Sequence, residues 1–254
     1  MSLCAAGLAA ISVNSLHAAN EDANVPILAP GDTVPLTIIP AGVFLRVGDD
    51  PVDEIWERVP EYQVGLEPAP PVHASVVLRQ SGNAGPAPLF FSIISDRTRL
   101  YVKLRWVDLT PDVETTANRF RDGAAVQFAL GGGEATTHMM GSPENPVNIW
   151  YWRSDHHKAE NLAAGGFGST TLLDEQIVTA KAAYGSADST TTTEWTVVLS
   201  RPLSGDGEYL AKFTPDAVQP LAFAVWDGAE GQRDGHKRAS TGWIKVDLGP
   251  LSGG

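Results

Sequence analysis

The sequence predicts an all-β chain, an antiparallel β-sandwich of about ten strands. Three observations carry that expectation. Short apolar runs recur about every ten residues, and within them apolar and polar side chains alternate with the period of two of a half-buried strand. Gly, Pro, Asp and Ser collect between the runs. Helical spacing is scarce; only Gly168–Gly185 suggests a helical turn or two, and its Thr and Val content argues against even that.

Taken in order, "MSLCAAGLAAISVNSLHAANEDANV" reads as a secretory segment. Leu3–Val13 is a short apolar stretch of small residues, and "LHAAN" offers an alanine at a cleavage position, near Ala18 or Ala19. No Lys or Arg precedes the apolar stretch, which leaves the export route open. Residues 1–19 are thus expected to be a signal segment and 20–254 a single domain, entered through the polar linker Asn20–Asn24. Strands are expected within 34–47, 62–68, 73–80, 89–96, 99–109, 124–130, 193–203, 221–228 and 241–248. In 99–109 the pattern is cleanest: Leu100, Val102, Leu104 and Trp106 share one face, Tyr101, Lys103 and Arg105 the other. The stretch 131–186 is poor in such signals and is expected to be a loop and short-helix insertion over one end or face of the sandwich.

Composition narrows the function. With 254 residues, 43% hydrophobic and 19% charged, the chain is long enough for a substantial core. A net charge of −12 repels phosphate backbones and anionic lipid, which speaks against nucleic-acid binding. No apolar run reaches the roughly 18 residues of a membrane span. The single cysteine, Cys4, leaves with the signal segment, so thiolate zinc, iron–sulfur clusters and disulfides are excluded from the mature chain. There is no H-E-x-x-H, no G-x-S-x-G and no phosphate-binding loop, and "GDD" at 48–50 suits a turn better than a pair of glycosidase acids.

Two clusters stand out. Thr137–His157, "THMMGSPENPVNIWYWRSDHH", holds two of the three methionines, two of the seven tryptophans and three of the six histidines. Buried turn packing would explain the aromatics, with methionine as gap-filler; thioether and imidazole are also ligands for soft or borderline metals, haem iron among them. Gly141 lets the backbone approach a flat group, and Pro143 and Pro146 stiffen the loop. His156 and His157 match no zinc spacing and suit a surface. In the second cluster, Trp226 and Trp243 flank a loop with Arg233, His236, Lys237 and Arg238, four basic-type residues in an acidic chain. A solvated hairpin loop would account for them, and so would an anionic partner such as haem propionates.

Together, "MMGSPENPVNIWYWRSD" and "WDGAEGQRDGHKRASTGWIKVDL" resemble the haem b-binding gamma subunits of the type II dimethyl sulfoxide reductase family, which includes ethylbenzene dehydrogenase, dimethylsulfide dehydrogenase and the selenate and chlorate reductases. The likeness extends through "IWERVPEYQVGLEP", "RLYVKLRWVDLTPD" and "FRDGAAVQFAL" and covers roughly residues 50 to 248. It implies a β-sandwich holding one noncovalent haem b between axial Met and Lys. By position these are Met140 and Lys237, with Met139, His138, His236 and Lys245 as fallbacks, and with Trp150 and Trp152 as candidate pocket walls. The absence of C-x-x-C-H agrees with noncovalent haem. It further implies a non-catalytic electron-transfer subunit in the periplasm, beside a molybdopterin-containing alpha subunit and an iron–sulfur beta subunit, exchanging electrons with a soluble carrier such as a cytochrome c. The rival expectation is a carbohydrate- or ligand-binding sandwich without haem, its exposed tryptophans stacking on sugar rings.

Overall fold

In the computed structural model, residues 24–72, 74–77, 87–156, 158–186 and 192–252 are described. The expected signal segment 1–19, with Cys4, and His157 lie outside them. Fifteen strands run through the described residues. Three short ones come first: β1 (Ile27–Leu28), β2 (Thr33–Pro35) and β3 (Thr37–Ile38). Then follow β4 (Tyr62–Pro68), β5 (Ala87–Ser95), β6 (Arg99–Val107), β7 (Gly123–Ala129), β8 (Val147–Arg153) and β9 (Glu160–Ala164). The remainder are β10 (Thr171–Leu172), β11 (Thr179–Gly185), β12 (Glu194–Pro202), β13 (Val218–Trp226), β14 (Arg238–Ser240) and β15 (Ile244–Asp247).

The strands form one hydrogen-bonded sheet in the order β10-β9-β8-β7-β13-β14-β4-β5-β6-β12-β11, antiparallel along this path. Only the three short N-terminal strands pair in parallel, β1 with β4, β2 with β15 and β3 with β5. Side chains of β7, β8 and β13 meet those of β5, β6 and β12 in one core, so the two halves of this order, up to β13 and from β4 on, face each other as the first and second layers of a sandwich. Between them lies the main core. Phe91 of β5 meets Phe223 of β13 at 4.8 Å, while Trp152 of β8 packs edge-on against Trp106 at 6.1 Å and Trp195 at 5.0 Å. Each such ring is worth roughly 3–5 kcal/mol if truncated to alanine. The alternation in 99–109 holds: Leu100, Val102, Leu104 and Trp106 are all inside this core.

Four expectations are corrected. The stretch 131–186 is not a loop insertion; it supplies β8, β9, β10 and β11. Val147–Arg153 hides its strand character because it is buried on both sides, and such strands read as continuous apolar runs instead of alternating ones. Gly168–Gly185 is not helical and ends in the strand β11. Residues 34–47 give only β2 and β3 before Pro40, after which Val43 and Phe44 pack with Trp56 over Ile94, Tyr101 and Val198 on the outer face of the second layer. Within the 73–80 run the described residues, Ala74–Val77, form a single helical turn, here α1, and not a strand; the rest of the run lies outside the described residues.

Candidate functional site

The inner face of the first layer fills the core, and its outer face carries a second, separate apolar surface. In β7, Ala124, Val126 and Phe128 point inward, so Ala125, Gln127 and Ala129 point outward. In β13, Leu221, Phe223 and Val225 go in, and Ala222 and Ala224 go out. The registers place Ala239 of β14 opposite Ala224, Ala224 opposite Ala125, and Ala125 opposite Tyr151. Three alanines on neighbouring strands make a floor about 10 Å across with no side chain rising beyond a methyl. Above it is a cavity of about 1060 Å³, large enough for a flat macrocycle.

Met140 stands at one wall. The turn 136–141 that presents it is clamped from three sides. Trp243 Nε1 donates to the Thr136 carbonyl at 2.7 Å, Gln127 Nε2 to His138 at 2.9 Å, and Gly166 N to Met140 itself at 2.8 Å. Met140 has φ +68°, a left-handed conformation that costs a side-chain-bearing residue on the order of 1–2 kcal/mol. Gly141 follows at φ +71°, where a Cβ would lie 2.7 Å from the Asn145 carbonyl oxygen. The surroundings thus hold a strained residue whose sulfur is turned into the cavity.

Lys237 stands at the other wall, just before β14, its carbonyl accepting from Ala69 N at 2.8 Å. Its ammonium lies 4.9 Å from the Trp226 ring centroid, and Trp226 packs edge-on against Tyr151 at 5.1 Å. Trp226 Nε1 donates to the Asp234 carbonyl, which ties the loop back on itself. Burial strips water from the Lys237 ammonium and pushes its pKa down to about 8. Lys237 Nζ and Met140 Sδ are 3.9 Å apart. Two donors each about 2 Å from one metal ion are separated by about 4 Å, so the pair can flank a single centre.

Of the other predicted residues, Met139 and His138 also line the cavity; His138 packs edge-on against Trp243 at 6.5 Å and burial lowers its pKa. His236 does not line it, and Lys245 sits on β15 opposite Pro220 and Thr33, away from it. Trp150 and Trp152 do not line this cavity. Both face the inner core, Trp150 against Phe128 at 4.6 Å, because the residue between them, Tyr151, takes the cavity side. Of the basic loop, Arg233 lines the cavity with Lys237, its guanidinium carbon 4.2 Å from the Phe120 ring centroid. Trp226 as a cavity wall and the alanine floor were missed by motif reasoning. The floor's signal was present in "GAAVQFA" and "LAFAVW", where the outward face carries Ala125 and Ala129 on one strand and Ala222 and Ala224 on the other.

A thioether, an amine, a flat apolar floor and a cation at the rim form a donor set suited to haem iron and its propionates. The sequence model of the family described as ethylbenzene dehydrogenase matches residues 173–238, a range that takes in Lys237. The gamma subunit of dimethylsulfide dehydrogenase from Rhodovulum sulfidophilum is 44% identical over 94% of this chain and 89% of its own length. The gamma subunit of chlorate reductase from Ideonella dechloratans is 38% identical over 77% of this chain and 78% of its own. A putative respiratory nitrate reductase heme subunit from Haloferax mediterranei is 35% identical over 79% and 68%. With its methionine and lysine brought to one cavity and these relatives matched along most of their length, the chain belongs to the family of dimethylsulfide dehydrogenase and chlorate reductase gamma subunits.

Proposed function

We propose that the chain is a non-catalytic electron-transfer subunit that binds one noncovalent haem b, whose iron Met140 and Lys237 would hold. The observation that supports this most directly is the 3.9 Å approach of their donor atoms over the alanine floor. The haem, when bound, supplies one-electron redox chemistry; the protein supplies the ligand pair, a dry floor and charge at the rim. Lys237 must be neutral to ligate, and the burial that already lowers its pKa favours that state. Arg233 at the rim would meet a propionate. In the assembled complex the subunit would pass electrons between an iron–sulfur beta subunit, itself beside a molybdopterin-containing alpha subunit, and a soluble carrier such as a cytochrome c. The compartment would be the periplasm.

The carbohydrate-binding alternative is not favoured. Its stacking surface is missing: none of the seven tryptophans is exposed, and Trp106, Trp150, Trp152 and Trp195 are all in the main core. The test is a visible spectrum of the chain, oxidised and dithionite-reduced, with a pyridine hemochrome assay. A sharp Soret band with b-type α and β bands is expected. A chain that stays colourless after haem is added would overturn the reading.

A further inference from the structure

Three carboxylates outside the haem site meet at one end of the sandwich, where strands of both layers finish or begin. Asp108 follows the last residue of β6, Asp122 precedes the first of β7, and Asp227 follows the last of β13. Oxygens from all three lie within 4.8 Å of one another. Asp122 is fully buried and Asp108 is 5% exposed, yet among the described residues no Lys, Arg or His pairs with any of the three.

Their hydrogen bonds account for some of the oxygens. Asp122 accepts from Gly228 N, Asp112 N and Trp195 Nε1. Asp108 Oδ1 accepts from Thr110 N, and Asp227 Oδ1 from Glu230 N. Asp108 Oδ2, by contrast, is buried with no hydrogen-bond partner. An orphaned anionic oxygen in such a place is costly unless something positive meets it. Burial, and then the neighbouring carboxylates, push Asp108 up to about 7; burial also raises Asp122 to about 6 and Asp227 above its ordinary value. The cluster is short of positive charge.

We propose that Asp108, Asp122 and Asp227 bind a calcium ion. The donors are hard oxygens with no nitrogen or sulfur among them, which points to a hard divalent cation. Calcium accepts bonds of about 2.3–2.6 Å in irregular geometry, so two of its ligand oxygens lie at most about 5 Å apart, in keeping with this cluster. The ion would hold together two loops that frame the cavity mouth. One runs from Asp108 to Asp122 and carries Thr115, Phe120 and Arg121; the other begins at Asp227 and carries Arg233 and Lys237. Calcium at one rim of the haem cavity would therefore steady the loop that presents the lysine.

The full haem-loaded chain, stripped with EDTA, is titrated with calcium chloride by calorimetry and by thermal melting, the Soret band being read in the same samples. One equivalent is expected to bind, with a Tm rise of roughly 5 °C at saturation, and magnesium is expected to bind more weakly. Asp108→Asn removes the orphaned charge: it should raise the Tm of the chelated protein and abolish the calcium shift. Asp227→Asn provides the same readout should Asp108→Asn fail to fold. No calcium heat and identical melting with and without the ion would overturn the proposal. So would a calcium shift that survives in both variants.

Discussion

Met140 Sδ and Lys237 Nζ lie 3.9 Å apart although 97 residues separate them in the chain. The methionine arrives on a turn hung from β7, Trp243 and Gly166, the lysine on the loop between β13 and β14. Two independent parts of the sandwich thus converge on one point above the alanine floor.

With the proposed haem bound there, Lys237→Ala should convert a low-spin spectrum to a high-spin one, or lose the haem, with affinity falling at least about tenfold, or 1.4 kcal/mol. Absorption and haem titration measure it. An unchanged spectrum would remove Lys237 from the iron and bring forward His138, which lines the same cavity.

Ala224→Leu raises a branched side chain out of the centre of the floor, between Ala125 and Ala239. Because it enters the cavity and not the main core, the haem-free chain should lose under about 1.5 kcal/mol in urea unfolding. Haem stoichiometry should drop well below that of the parent. Full loading would show that the floor is not where the macrocycle lies.

Gly141→Ala meets two penalties, a left-handed φ of +71° and a Cβ 2.7 Å from the Asn145 carbonyl oxygen. A loss of about 1–3 kcal/mol is expected, together with a shifted Soret band as Met140 is displaced. Ser142→Ala, in the same turn, gives up the Ser142 Oγ bond to Asn145 N and should cost no more than about 1 kcal/mol without moving the band.

The acidic cluster gives a pH dependence in chelator. Asp108 and Asp122 hold their protons more tightly in the folded chain, at about 7 and about 6, than in the unfolded one, at 3.8. Their contribution is complete below pH 3.8 and is lost as pH rises through 6 and 7, so Tm should fall across that window. Lys237, lowered to about 8, acts in the opposite direction only above that pH. Melting curves from pH 4 to 8 with EDTA check the sign, and Asp108→Asn should flatten the fall.

Legibility in the sequence followed burial. β6 was plain because one face is core and the other carries Lys103 and Arg105, which lie against Glu61. β8 was invisible because Trp150 and Trp152 serve the core while Ile149 and Tyr151 serve the cavity, leaving no polar face to set a period. The same sharing misassigned the two tryptophans. That Met140 and Lys237 belong to one place was legible through their motifs, and they do meet at one cavity; the floor was not legible, since alanine on a strand looks like a weak residue until its neighbours in register are known. Asp108, Asp122 and Asp227 each sit beside a strand end, where aspartate is an ordinary turn residue, and nothing in their spacing announces that they meet.

The first layer is a party wall, with β7, β8 and β13 bearing the interior on one side and the cavity on the other. Before the proposed haem binds, a newly made chain would leave that second side as an open apolar trough, the kind of surface that draws chaperones, proteases and other unfinished chains. Cofactor loading would then serve as a maturation checkpoint, and cofactor supply would set how much of the subunit survives.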